Sequence, residues 1–484
     1  MKRSLHWYDF LAMNSYFFGT SLASGILTPV LIPALILLFM PPDQKNTYLA
    51  TLRVVGLAVA MFIQPLAGMF SDRSTLRWGR RRPYIFISAV FNIVFLAIIA
   101  FSTDLRAAPG SFFGWPLAFA VLMGGNILLQ ISANIGQGAL QSFIPDLAPE
   151  HQRGRASGFK SVLELLPTLL LVVLGIGKLV DAGYFWGVVG IIMGGYLLTM
   201  LITVLFVKEE PLKEKPAGAT GGAALRLLAL TVIFVAISQA AVWLVKTSGD
   251  FLTAQEASIG VQVAVIGLAG LAGMAGSIFL GVYLGAWVGI GKDAPRQKGF
   301  IWWVVNRLLF LAAIGSIQGF ALYYLTDVVK VSNPGFITTI LMGAVALFLL
   351  PSAVGSGYLA DRIGRKRLVG GSGLVAALGT LLLLLSGPNL PLIIASGCVI
   401  GLGTGIFFAT NWAMGTDLVP KQDAGKYMGI SNLAGAGAGI VGAGIGGPMA
   451  DFFNHLSPGL GYIVIFGIYG MLFLLSVATL SKVK

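Results

Sequence analysis

Five side-chain amides, Asn126, Gln130, Asn134, Gln137 and Gln141, recur at spacings of 4, 4, 3 and 4. On a helix of about 3.6 residues per turn they project from one face. An amide offers donors and acceptors together, so the row suits the hydroxyls of a neutral polyol or sugar. The alternative is interhelical hydrogen bonding, worth about 0.6 kcal/mol per contact in a membrane. One or two amides would serve as such glue, whereas five in register point to a wetted wall. Two ionisable groups stand inside apolar runs: Glu164 in SVLELLP and Arg307 in WWVVNRLLF. Charges in such surroundings are costly and face a cavity or a partner. Glu164 is the candidate for carrying a coupled proton, with a salt bridge to a neighbouring helix as the alternative. Arg307 could bind substrate or pair with Glu164. Asn411 could supply a polar contact and Trp412 a stacking face for a sugar ring, with plain core packing the alternative for Trp412. Asn14, Gln318 and Asn432 are weaker candidates of the same kind.

A second constellation is repeated. Gly68-Met-Phe-Ser-Asp72-Arg73 returns as Gly357-Tyr-Leu-Ala-Asp361-Arg362, each followed by Gly and a basic cluster that includes Arg80 in one copy and Arg365 in the other. Asp146-Leu-Ala-Pro149 returns as Asp417-Leu-Val-Pro420. Two motifs recurring in one order mean duplicated halves. An acid at the end of an apolar span, beside several cations, can pair with Arg or with a helix N-terminus in one conformation only. A loop that merely fixes topology would satisfy the cations. It would not explain a glycine and an acid placed twice at the same spacing.

The elements that hold these residues are apolar spans. Of 484 residues 56% are hydrophobic and 11% charged, and the mean hydropathy is +0.86. A soluble domain carries about 25% charged residues. Spans are read at 8–39, 48–71, 83–102, 113–143, 156–180, 184–207, 225–245, 259–290, 300–326, 335–360, 368–386, 390–416, 427–450 and 461–480. With both termini placed in the cytoplasm, 25 of the 32 Lys and Arg fall on inner segments, six on outer ones, and Arg307 within a span. Lys208–Ala224, rich in Lys, Glu, Pro and Gly, is the one clear linker. The repeat then assigns residues 1–207 to a first six-helix bundle, 208–224 to a cytoplasmic linker and 299–484 to a second six-helix bundle. Residues 225–298, which have no counterpart, form an inserted helix pair.

The net charge of +13 sits in short loops between apolar spans, which fits an anionic inner leaflet and not a nucleic acid. The single Cys398 allows no intrachain disulfide, and His6, His151 and His455 form no metal set. No phosphate-binding loop of the G-x-x-x-x-G-K-S/T kind occurs, and nothing supports an enzyme.

GMFSDRSTLRWGRRRP (Gly68–Pro83) and GYLADRIGRKR (Gly357–Arg367) resemble the signature of the major facilitator superfamily. The longer form S-D-R-x-x-x-R-W-G-R-R-R-P is similar to that of the sucrose/proton symporters and the glycoside–pentoside–hexuronide:cation symporters. Trp303–Asp327 also looks like the seventh helix of the sucrose group. The resemblance implies an all-α integral membrane fold of two six-helix bundles, here with the inserted pair and about fourteen transmembrane helices. It implies secondary transport of a sugar or glycoside by alternating access; Glu164, from its place in an apolar run, is the candidate for coupling that transport to a proton. The substrate is expected near mid-membrane, on Gln130, Asn134, Gln137, Arg307, Asn411 and Trp412. The conformational latch is expected at Asp72, Arg73, Arg80, Asp361, Arg362 and Arg365. Expected partners are the lipid bilayer of the plasma membrane, a small-molecule substrate and a co-transported proton, with no cofactor and no nucleic acid. The chain is expected to act as a monomer. Two departures bear on coupling: Thr51–Ser71 lacks the paired acids of the melibiose type, and 113–143 lacks the intramembrane acid of plant sucrose symporters. The competing readings are a non-sugar facilitator and a lipophile- or pigment-handling protein of the same fold, the latter favoured by a dry aromatic cavity.

Overall fold

The computed structural model describes residues 5–209, 211–212, 221–291, 297–418 and 424–483. Fourteen long helices follow one another through them. They are α1 (Trp7–Phe39), α2 (Lys45–Asp72), α3 (Arg82–Phe101), α4 (Leu117–Leu140), α5 (Arg153–Val173), α6 (Phe185–Phe206) and α7 (Gly221–Ala254). There follow α8 (Ile259–Ile290), α9 (Lys298–Tyr324), α10 (Pro334–Ile363), α11 (Arg365–Leu385), α12 (Leu390–Leu418), α13 (Ala424–Leu456) and α14 (Leu460–Thr479). Among the described residues, thirteen helices are long and apolar enough to cross a membrane. The fourteenth, α13, occupies the stretch read from the sequence as span 427–450.

Departures from the expected spans have local causes. Span 113–143 does not begin as helix: Ser111–Phe112 and Trp115–Pro116 pair as a two-stranded hairpin, β1 and β2, around Gly114 at φ +76°. Span 156–180 breaks at Gly175, φ +62°, and resumes as a short helix over Ile176–Asp181. In α1 a π turn covers Leu27–Leu31, where Pro29 removes an amide donor and the helix widens to keep its other bonds. A second π turn, Leu325–Val329, ends α9.

The contacts divide the chain into two compact units: Met1–Met40 with Val59–Leu227, and Pro41–Ala58 with Leu228–Lys484. Within the first, α1 packs on α5 and α6, and α3 packs on α4 and α6. The buried Tyr16, Phe17, Phe119 and Phe143 belong to its core. Within the second, α12 packs on α10 and α11, and α14 on α9 and α11. α7 and α8 lie against each other and on α13. Phe234 fills the space over Gly281, where a Cβ would come within 2.6 Å of the ring, and also covers Gly437 of α13. Their Trp243, Phe251, Leu268 and Trp287 remain exposed, a surface suited to lipid. The second unit also takes in the first fourteen residues of α2, from Lys45 to Ala58.

Candidate functional site

In the first unit the amide row lies along α4. Its members share an arc of about 80°, at about 100° per residue. The face turned to α3 is the opposite one: Gly125 meets Ile98 and Ile99, Gly136 meets Ser88, and Ser132 donates to Asn92 Oδ1. Asn92 also reaches Tyr16 of α1 at 3.4 Å and Ser88 at 3.4 Å, so the polar glue between α1, α3 and α4 is supplied by residues outside the row. These were not singled out in the sequence because one Asn, one Tyr and two Ser on three helices make no pattern. Within the row, Asn134 is 9% exposed and donates to its own neighbour Gln130, at 2.8 Å to the carbonyl and 3.2 Å to Oε1. Gln137 is half-buried and its Oε1 has no protein partner. Asn126 is buried, whereas Gln141 is exposed.

Glu164 on α5 meets Lys160 of the same helix, Nζ to Oε1 3.5 Å, and Lys160 stands over the Phe17 ring. Asn14 binds α1 to α5, donating to the carbonyls of Phe10 and Ala156 at 2.9 and 3.1 Å.

The first copy of the repeated signature organises around Arg81, a residue left out of the expected latch. Its guanidinium, 3% exposed, pairs with Asp72, donates to Asp146 Oδ2 from Nε and Nη2 at 3.0 Å each, and reaches Ser71 Oγ at 2.5 Å. Arg80 forms an ion pair with Asp146. Glu209, the first acid of the expected linker, folds back on the start of α3. Its carboxylate accepts the backbone N–H of Arg81 at 2.9 and 2.8 Å and that of Arg82 at 3.1 Å. A carboxylate there satisfies orphan donors and complements the helix dipole, while Pro83 occupies a position with no N–H to lose. Gly79 makes the approach possible: φ is +111°, and a Cβ would sit 2.5 Å from Glu209 Oε2. Three arginines in a row conceal which one is buried, and that is why Arg81 was missed. In the second copy Arg362 is exposed, Arg365 donates to the Ala413 carbonyl at 3.0 Å, and Lys366 donates to the Val483 carbonyl at 2.5 Å. The side chains of Asp361, Asp417 and Asn432 lie outside the described residues.

In the second unit Arg307 stands over the Trp412 ring, 4.7 Å from its centroid, and 5.9 Å from that of Trp303. Its Nε is buried with no protein partner. Trp412 is 38% exposed, so the stacked pair presents an open indole edge. Beside it, Asn411 Nδ2 donates to Asn306 Oδ1 at 2.8 Å, and Asn306 donates to the Ser476 carbonyl at 2.7 Å, tying α12, α9 and α14. Trp303 Nε1 donates to the Asn411 carbonyl at 2.9 Å, and Asn411 Oδ1 stays unpaired. Gln318 lines an apolar pocket with Ile317, Tyr324, Leu341, Ser396 and Phe466.

Also in the second unit, the start of α2 is held by polar groups of α9, α13 and α14. Lys45 pairs with Asp327, Oδ2 2.6 Å away; Tyr462 donates to the same oxygen at 2.7 Å. Asp451 accepts from Asn46 and Thr47. Further along, Arg53 donates to the Gly315 carbonyl at 3.0 Å, its guanidinium filling the place a side chain at Gly319 would need. None of these was marked as functional from the sequence, because Lys45, Arg53, Asp327 and Asp451 sit at span ends where charges are ordinary.

Comparison with known proteins gives one direction. The family model for the Major Facilitator Superfamily matches residues 308–483, and that for MFS/sugar transport protein matches residues 28–255. Sucrose transport protein SUT1 of Oryza sativa subsp. japonica is 35% identical over 111 residues, 21% of this chain and 20% of the relative. Minor myo-inositol transporter IolF of Bacillus subtilis is 34% identical over 104 residues, 21% of this chain and 24% of the relative. Proton-associated sugar transporter A of Homo sapiens is 24% identical over 213 residues, 40% and 27% of the two chains. The chain thus spans between a fifth and just over a quarter of the length of these relatives. Among solved structures, a D-xylose-proton symporter superposes with a TM-score of 0.62 at 15% identity, over 97% of this chain and 95% of the other. The nucleoside transporter NupG superposes at 0.63 and 11% identity, over 99% and 100%. At such identities the likeness is one of fold.

Proposed function

We propose that this chain, which belongs to the major facilitator superfamily, is a secondary transporter that moves a sugar or glycoside across the plasma membrane by alternating access. The observation that carries the reading is the amide row of α4. It is turned away from the α3 contact, and Gln137 Oε1 is left unsatisfied in a half-buried position. A buried acceptor without a partner costs about 1–3 kcal/mol, and a polyol hydroxyl would meet it. The relatives named for sucrose and myo-inositol support the same substrate class.

In this reading Gln130, Asn134 and Gln137 bind hydroxyls, and Arg307 and Trp412 offer a charge and a stacking face. Asn411 acts by holding α9 beside Trp412. Glu164, with Lys160 as its resting partner, carries the coupled proton. Asp72, Arg73 and Arg80, with Arg81 added, and Asp361, Arg362 and Arg365 form the latches of the two halves. Residues 1–207 and 299–484 are the repeated bundles, 208–224 the cytoplasmic linker and 225–298 the inserted pair. Both termini face the cytoplasm, and the chain works as a monomer in the bilayer. The test is uptake of labelled disaccharides, monosaccharides and inositols into proteoliposomes, with and without a pH gradient. Saturable uptake of at least one sugar, lost in Gln137→Leu, is expected. A folded preparation that moves none of them would count for the lipophile-handling alternative.

A further inference from the structure

The position before α2 is Gln44, which is not one of the residue types that commonly cap a helix from the N-cap, and Asp43 stands a position too early, its carboxylate 3.7 Å from His455 Nε2. The missing acceptor comes from α13, 405 positions away. Asp451 Oδ1 accepts the backbone N–H of Asn46 at 3.2 Å and its Nδ2 at 2.8 Å; Oδ2 accepts the N–H of Thr47 at 2.7 Å. One carboxylate thereby satisfies two orphan amides of the first turn and meets the positive end of the helix dipole. The Lys45–Asp327 pair and the Tyr462 hydroxyl, 3.3 Å from the Asn46 amide, surround it. Beneath them the backbones nearly touch: a Cβ on Gly447 would lie 2.5 Å from Ala50 Cβ and closer still to the Asn46 carbonyl.

We propose that Asp451 is a detachable cap on α2, a positioning residue for transport that holds this end of the molecule closed and releases it when the end opens. The inference rests on the alternating-access reading above, in which this end faces outside. A cap from the preceding loop would travel with α2 and be indifferent to opening. A cap from α13 is surrendered whenever the two helices part, and water must then take over the amides of Asn46 and Thr47. The bonds that resist opening are few and polar, and they sit on a contact in which glycines of α13 meet α2: Gly447 at Ala50, Gly444 at Val54 and Gly439 at Leu57. Such a contact parts without tearing a packed core.

The experiment uses the full chain in nanodiscs with Cys398→Ser and a single reporter cysteine at Ala50, which is 2% exposed. A polar maleimide reads how often this contact opens. Asp451→Asn, which keeps the shape but presents an NH2 to donors, should raise the labelling rate about five-fold, the population change that follows loss of one helix cap. Gly447→Ala wedges the same contact without touching the carboxylate and should raise it as well. Asp43→Asn should not. Amide exchange at Asn46 and Thr47 should quicken in step, while a reporter at Ile468, buried in α14, stays protected. Unchanged labelling in both variants overturns the proposal, as does a rise at Ala50 matched by one at Ile468. No sugar is needed for this readout, so a wrong substrate reading would show separately, as absent uptake with the labelling shift intact.

Discussion

Arg81 donates twice to a single oxygen of Asp146, from Nε and from Nη2, both at 3.0 Å. The guanidinium is almost fully buried, while its second acid, Asp72, has a side chain 56% exposed. The two acids therefore should not weigh equally. Asp146→Asn leaves a buried cation short of its principal partner and should cost about 2–3 kcal/mol of stability. Asp72→Asn should cost under about 1 kcal/mol, since an exposed pair is screened. Denaturation in detergent, followed by tryptophan fluorescence, separates them; equal losses would mean that Arg81 is held by something else. Asp72→Asn should still slow uptake at unchanged sugar affinity, if the pair is broken and remade during transport.

Gly79 and Glu209 make a sharper structural test. Gly79→Ala meets both a left-handed φ of +111° and the Glu209 carboxylate, and about 1–3 kcal/mol should be lost. Glu209→Ala alone removes a helix cap, at about 1 kcal/mol. In the double variant the collision is gone but the backbone strain stays, so the combined loss should be smaller than the sum. A strictly additive cycle would show that the two residues do not touch.

For the amide row, Gln137→Leu and Asn134→Leu should each weaken sugar binding by about 1–3 kcal/mol, because a hydroxyl or a partner amide is left unpaired. Asn126→Leu should matter less for binding. Equilibrium binding of whichever sugar is transported decides; normal affinity in both first variants would reduce the row to glue between helices.

Arg307 and Trp412 should act as one group. Trp412→Ala removes a stacking contact of about 0.5–2 kcal/mol and should depress affinity as far as Arg307→Ala does, whereas Trp412→Phe keeps most of it. Binding unaffected by either alanine would mean that the pair only packs.

Glu164→Gln should preserve sugar binding yet abolish accumulation against a gradient driven by protons. Lys160→Gln, which removes the neighbouring ammonium 3.5 Å away, should alter the pH dependence of uptake and leave the coupling intact. Concentrative uptake by Glu164→Gln would move the coupling site elsewhere.

Much of this was legible in the residues. Span length and the basic loops foretold the run of long helices, and the amide spacing could be laid out along α4 because helical periodicity is local. What stayed hidden depended on which copy of a common residue is buried. Arg81 is indistinguishable in sequence from Arg80 and Arg82, and Asn411 turned out to be tied to Asn306, 105 positions away. Asp451 looks like any acid at a span end until Asn46 and Thr47 are brought beside it. Long-range pairing of this kind leaves no spacing to read.

The membership of α2 in both units has a consequence for how such a protein can be taken apart. Its first fourteen residues complete the second unit, covering Asp327, Asp451 and the glycine seam of α9, while Val59–Asp72 completes the first. A fragment starting at residue 221 would expose two carboxylates and the groove meant for Arg53. It should fold poorly on its own and recover when the first 212 residues are supplied in trans. The second unit is finished by residues from the chain's second helix, and a cut between α6 and α7 leaves it short of them.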